Sequence, residues 1–119
     1  MSNEKVEDLQ GKTLIRCYGK VGEERIEFET SEGEIYIMFH SEDCCESVYV
    51  EDIVGDLQDL VGSPLVMARE DTNSSSESAS GCELWTFYNF ATIKGYVTIR
   101  WYGCTDSCYS ITPAFMRIK

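Results

Sequence analysis

The strongest constraint on this fold lies in residues 84–102. Two runs, 84–93 and 96–102, are dense in aromatic and β-branched side chains and meet at Lys94-Gly95. Such side chains suit a pleated, half-buried surface, and a short glycine-containing junction suits chain reversal, so the spacing predicts a long antiparallel hairpin. With a period of two, Trp85, Phe87, Ala91 and Ile93 share one face and are expected to join Val97, Ile99 and Trp101 on the core side. Thr86, Tyr88, Phe90, Thr92, Tyr96, Thr98, Arg100 and Tyr102 then fall on the opposite face, which is unusually aromatic for plain solvent exposure. Three uses suit it: packing on a helix, a subunit interface, or stacking of Tyr88, Phe90, Tyr96 and Tyr102 with Arg100 on a planar ligand.

The same alternation recurs upstream. Residues 13–18 and 25–30 switch between apolar and polar at nearly every step, and Gly19 and Gly22 supply the turn between them. Residues 34–40 form the next strand, entered through Ser31-Glu32-Gly33. Its alternate positions are Ile35, Ile37 and Phe39 on one face and Tyr36, Met38 and His40 on the other. A strand apolar on both sides belongs in the middle of a sheet. Residues 47–51 and 65–68 read as further short strands, and 109–118, interrupted by Pro113, as an edge strand. After a turn around Val6 to Leu9, the helix candidate is 52–61, with Ile53, Leu57, Leu60 and Val61 on one side and Gly62 to end it. Residues 71–81 contain no large apolar side chain and are expected to be a mobile loop. The fold class is therefore mainly β (α+β): one domain over 1–119, an antiparallel sheet of about six to eight strands, and one or two short helices.

Charge narrows the partners. The formal net charge is −11, and residues 1–60 hold sixteen Asp and Glu against five Lys and Arg, while 61–119 hold five of each. From Glu42 to Asp59 seven carboxylates follow one another with no basic residue between them. Such a block repels phosphate backbones and anionic lipid, which argues against direct nucleic-acid or membrane binding and leaves a solvated face or a basic partner. The longest apolar runs fall far short of the ~20 residues of a membrane helix. The N-terminal residues are polar and acidic, without a signal segment, so a cytoplasmic setting with reduced thiols is expected.

His40-Ser41-Glu42-Asp43-Cys44-Cys45-Glu46 gathers an imidazole, two thiols and three carboxylates. A zinc site needs four ligands in tetrahedral geometry, and adjacent cysteines on an extended chain point to opposite sides. Cys104 and Cys108 are better spaced, so His40, Cys44, Cys45, Cys104 and Cys108 form the alternative metal set, set against buried free thiols. His40 could also activate Cys44, but the flanking carboxylates raise a thiol pKa. No serine elbow, phosphate loop, dinucleotide fingerprint or paired zincin histidines occur. No catalytic residue and no cofactor are assigned, and the chain reads as a non-enzyme. The turn 40–46 precedes a strand and a short helix, the usual placement of binding loops. The expected pocket or partner surface is His40, Asp43, Glu46 and Glu51, with Tyr49, Arg100 and Trp101 as neighbours; the competing reading is a turn that only organises the fold.

The run from His40 through Asp43-Cys44-Cys45-Glu46-Ser47-Val48-Tyr49-Val50-Glu51-Asp52-Ile53 to Gly55-Asp56-Leu57, followed by Gly62-Ser63-Pro64, resembles the signature of a family of short phage and prophage proteins of unknown function. Residues 91–103 strengthen the likeness, which spans about residues 9–103. The resemblance implies a setting rather than an active site. Small phage accessory proteins often act by binding, either inhibiting a host defence enzyme or sequestering a small-molecule signal. The expectation is a non-enzymatic, homo-oligomeric binding protein of the host bacterial cytoplasm, whose partner is a host protein or small-molecule ligand. An acidic nucleic-acid mimic that blocks a host nuclease, and a metal-binding or cysteine-dependent module, are the alternatives.

Overall fold

The computed structural model describes residues 2–40, 46–78, 81–105 and 111–119. In chain order the strands are β1 (Ser2–Asn3), β2 (Leu14–Tyr18), β3 (Arg25–Thr30), β4 (Ile35–Phe39), β5 (Glu46–Val54), β6 (Met67–Ser78), β7 (Gly81–Thr92), β8 (Gly95–Thr105) and β9 (Ala114–Arg117). They form two antiparallel sheets, one ordered β1-β9-β4-β3-β2 and the other β5-β8-β7-β6. The mainly β class holds, and β4 is the middle strand of its sheet, as its two apolar faces require. The expected single sheet is instead two. Each has one apolar face that must be covered, and covering one with the other is the two-layer solution.

The contacts between layers are aromatic and sulfur-rich. Phe28 on β3 meets Phe90 on β7 with ring centroids 5.5 Å apart, and Trp101 Nε1 on β8 donates to Met38 Sδ on β4 over 3.0 Å. Within the five-stranded sheet, Phe115 stacks on Tyr36 at 5.4 Å and meets Phe28 edge-on at 5.9 Å. Leu9, Leu14, Leu60 and Leu65 are fully buried in the same core. Backbone bonds also tie the layers at their rims: Val50 exchanges bonds with Glu23 and Gly22, and the N–H of Gly62 donates to the carbonyl of Leu14.

The 84–102 hairpin exists, but its core face is corrected. The turn is Ile93-Lys94, with Thr92 opposite Gly95, Tyr88 opposite Ile99 and Thr86 opposite Trp101. A two-residue loop pairs even positions of one strand with odd positions of the next, and cross-strand partners share a face. Once Val97, Ile99 and Trp101 point inward, Thr86, Tyr88, Phe90 and Thr92 must follow, and all seven are buried. Trp85, Phe87 and Ala91 face outward, and Ile93 sits 88% exposed in the turn.

Three further segments differ from expectation. The helix over 52–61 is not formed: Asp52 to Val54 complete β5, Gly55 takes φ +97°, and only Leu57–Leu60 makes a single 3-10 turn. β-branched Ile53 and Val54 favour the strand, and the left-handed Gly55 breaks any helix begun before it. Asp56 then caps the short turn through its side chain, which accepts the Gln58 N–H at 2.9 Å. The N-terminal turn Val6–Leu9 is also 3-10, so neither short helix is an α-helix. Residues 71–78, expected as loop, continue β6 along β7, because ladder bonds use the backbone and do not require apolar side chains. Residues 79 and 80 lie outside the described residues. Finally, β9 lies between β1 and β4 rather than at an edge; Pro113 precedes the strand, so its missing N–H costs no ladder bond. No described helix is long and apolar enough to cross a membrane.

Candidate functional site

The outward face of the β5-β8-β7-β6 sheet gathers the reactive groups. Its geometry starts at a bulge. Val50 pairs with Trp101 and Asp52 with Arg100, so Glu51 is an extra residue in β5. A bulge re-aims the side chains beside it, and here two successive carboxylates converge on one guanidinium. Arg100 Nε lies 2.7 Å from Glu51 Oε1, and its Nη2 lies 3.9 Å from Asp52 Oδ2. The same Glu51 oxygen accepts the Trp85 indole N–H at 3.2 Å.

Next to this pair an aromatic ladder crosses three strands. Tyr49 of β5 meets Tyr102 of β8 edge-on at 5.7 Å, and Tyr102 meets Trp85 of β7 at 5.2 Å. The hydroxyl of Tyr102 donates to Glu83. That bond, followed by burial and the neighbouring Cys104, holds the Tyr102 proton well above the usual phenol range. Glu51, Trp85, Phe87 and Arg100 line a hollow of about 430 Å³. Toward β6 the face becomes a hydrogen-bonded network: Asn89 donates to Asp71 at 2.9 Å and accepts from Tyr96 at 3.0 Å and Thr98 at 2.8 Å, while Arg69 donates to Asp71 at 2.9 Å. No described element packs over this face.

The structure divides the residues expected to form one site. Tyr49, Glu51 and Arg100 share the outward face. Trp101, one position on, is 1% exposed and belongs to the core, so it does not line the surface with Arg100. His40 follows β4, half-buried, with Nδ1 3.3 Å from the carbonyl oxygen of Thr112. Glu46 opens β5 opposite Thr105, and Asp43 lies outside the described residues. Of the alternative metal set, Cys44, Cys45 and Cys108 also lie outside them, while Cys104 is half-buried with a free thiol. Among the described residues no cluster of three or more His, Cys, Asp or Glu is placed to hold a metal ion. Cys17 is a buried core thiol, pushed up to about 12 by desolvation.

Sequence reasoning missed Asp52, Glu83, Trp85 and Phe87 as members of this site, although Asp52 belongs to the acidic block read as a solvated face. For Trp85 and Phe87 the signal was present, since a two-residue turn fixes the face of every β7 side chain once β8 is assigned. The bulge that adds Asp52 has no local signature in the sequence.

A family model described as Domain of unknown function (DUF7448) matches residues 5–115, and the chain belongs to this uncharacterised family. No curated protein and no solved structure matches the chain.

Proposed function

We propose that this member of the DUF7448 family is a non-enzymatic binding protein that recognises a partner through the outward face of its four-stranded sheet. The observation that carries the reading is the run of ring contacts Tyr49, Tyr102 and Trp85 across three strands, flanked by Glu51 and Glu83 and uncovered by any described element. Half-exposed tyrosine and tryptophan on rigid strands supply large contact area at low entropic cost, and are the residue types that dominate binding energy at interfaces. Following the resemblance to phage and prophage proteins, the setting is the bacterial cytoplasm and the purpose is interference with host defence, by occupying a host protein or sequestering a ligand. Self-association belongs to the same reading, with the edge strands β5 and β6 as its means, which leaves the aromatic face open.

The test is affinity capture from host extract with the wild-type chain and Trp85→Ala, Tyr102→Ala and Thr112→Ala variants, each first checked for an unchanged melting temperature. Capture lost in the first two and kept in the third supports the face. A host nuclease bound equally by all of them, and released by salt alone, would favour the nucleic-acid mimic, because the net charge of −11 is untouched by these substitutions.

A further inference from the structure

We infer that the aromatic face docks a basic segment of a partner protein, with an arginine guanidinium laid on the Trp85 and Tyr102 rings between Glu51 and Glu83. The inference rests on the reading of this face as the binding surface and specifies the chemistry it selects. Each of the two rings carries a carboxylate on its polar atom: Trp85 Nε1 donates to Glu51 Oε1, and the Tyr102 hydroxyl donates to Glu83 Oε2. Each ring edge thus presents a carboxylate, Glu51 through Oε1 and Glu83 through Oε2, to an incoming donor. Arg100 does not cancel this acidity. Its single charge faces both Glu51 and Asp52, and Glu83 adds a third negative charge to the same patch.

Charge complementarity decides among occupants. A second copy would bring another net charge of −11 to the face, and a phosphate ligand would meet the same repulsion. A basic segment is attracted at long range and finds carboxylates and aromatic rings at contact. Between the basic side chains, the planar guanidinium suits this geometry better than an ammonium, because it can stack on a ring while its edge donates to a carboxylate.

The probes are an oligo-arginine peptide and an oligo-lysine peptide of equal length, titrated against the full chain at physiological ionic strength and followed by amide and indole NMR shifts. Oligo-arginine is expected to bind more tightly than oligo-lysine, with the largest shifts at the Trp85 indole and along residues 83–87 and 100–102. Trp85→Ala and Glu83→Gln should each weaken it by about tenfold. A Glu24→Gln, Glu32→Gln double variant, which removes two charges elsewhere, should change it less than about twofold. If Trp85→Ala does not fold, Glu83→Gln carries the test. Equal affinity for the two peptides with shifts spread over the acidic segments would overturn the inference, as would no binding, or a dimer that protects Trp85. Capture of a host protein that depends on Trp85 while oligo-arginine fails to bind rejects the arginine chemistry alone. Capture indifferent to Trp85 rejects the face itself.

Discussion

Arg100 Nε approaches Glu51 Oε1 to 2.7 Å without making a hydrogen bond to it. The distance is that of a strong charge-assisted bond, so the direction of the N–H is what fails: it lies too far off line. The contact is therefore Coulombic, while the same Glu51 oxygen accepts a directional bond from the Trp85 indole N–H. Glu51 of β5 is thereby tied both to Arg100 on the neighbouring β8 and, across it, to Trp85 on β7.

That arrangement sets the first expectation. Arg100 Nε itself is buried, but the side chains as a whole are 38% and 30% exposed, so solvent reaching the rest of the guanidinium and carboxylate screens their attraction. Glu51→Gln, Arg100→Met and the double variant should each change unfolding free energy by no more than about 1 kcal/mol, with a coupling that shrinks as salt is added. Urea denaturation of the cycle at two ionic strengths measures it. A coupling above about 3 kcal/mol would mean that the pair behaves as a buried one.

Gly55 is expected to be the least replaceable of the glycines with positive φ. Gly33 also has positive φ, at +85°, but a Cβ there meets nothing within 4 Å. At Gly55, φ is +97° and a Cβ would lie 2.5 Å from the carbonyl oxygen of Tyr96, which is backbone and cannot swing aside. Gly33→Ala should cost about 1 kcal/mol, the left-handed penalty alone, whereas Gly55→Ala should cost at least about 2 kcal/mol more. Thermal melts of the two variants side by side decide it, and equal losses would show that the β5 end relaxes freely.

How legible the fold was depends on what sets each feature. Strand existence came from local alternation: β2, β3 and β4 lie within the runs 13–18, 25–30 and 34–40, and the β7–β8 hairpin forms over the 84–102 runs and extends beyond them. The face of β7 was legible too, but only by joining turn length to pairing parity. Ile53, Leu57 and Leu60 carry helical spacing, yet Gly55 between them is left-handed, a property of the strand-to-turn junction that residue type permits without requiring. The candidate surface was half legible: Tyr49, Glu51 and Arg100 were in reach, while the bulge that turns Asp52 toward Arg100 arises from register against β8.

Alkaline pH should weaken the fold from about pH 9 upward. The Cys17 thiol is raised by desolvation from 9.0 to about 12. Tyr88 is raised too, first by burial and then by Glu70, to which its hydroxyl donates at 2.8 Å. A group that holds its proton more tightly when folded contributes stability that is complete below its unfolded pKa and is lost as pH rises through the folded one. For Cys17 the window therefore runs from about pH 9 to about 12. Cys17→Ala should be less stable at pH 7 because it leaves a small cavity, yet its stability should fall less steeply between pH 9 and 10, before the tyrosines contribute. Parallel slopes for variant and wild type would show that the thiol ionises without unfolding.

The acid limb should be governed by Glu34. Its carboxylate, 13% exposed, lies 2.6 Å from Lys12 Nζ and 3.2 Å from Arg117 Nη1, and Thr30 Oγ1 donates to it at 3.3 Å. It thus links the segment before β2, the start of β4 and the end of β9. The bond from Lys12 lowers the Glu34 pKa below the usual carboxylate value, against an opposing burial effect, and the same bond raises Lys12. A depressed carboxyl contributes stability that is present above its unfolded pKa and is lost as pH falls through the folded one. Glu34→Gln keeps the size and one acceptor but removes the charge, so it should lose about 1.5–3 kcal/mol at pH 7, the range for hydrogen bonds to charged groups. As pH falls through the ordinary carboxylate value and then through the lower folded one, wild-type Glu34 takes up its proton, and the two proteins should converge in stability only below that folded value. Denaturant midpoints across pH 2.5 to 7 test this, and a gap of constant size at every pH would show that Glu34 acts through packing rather than charge.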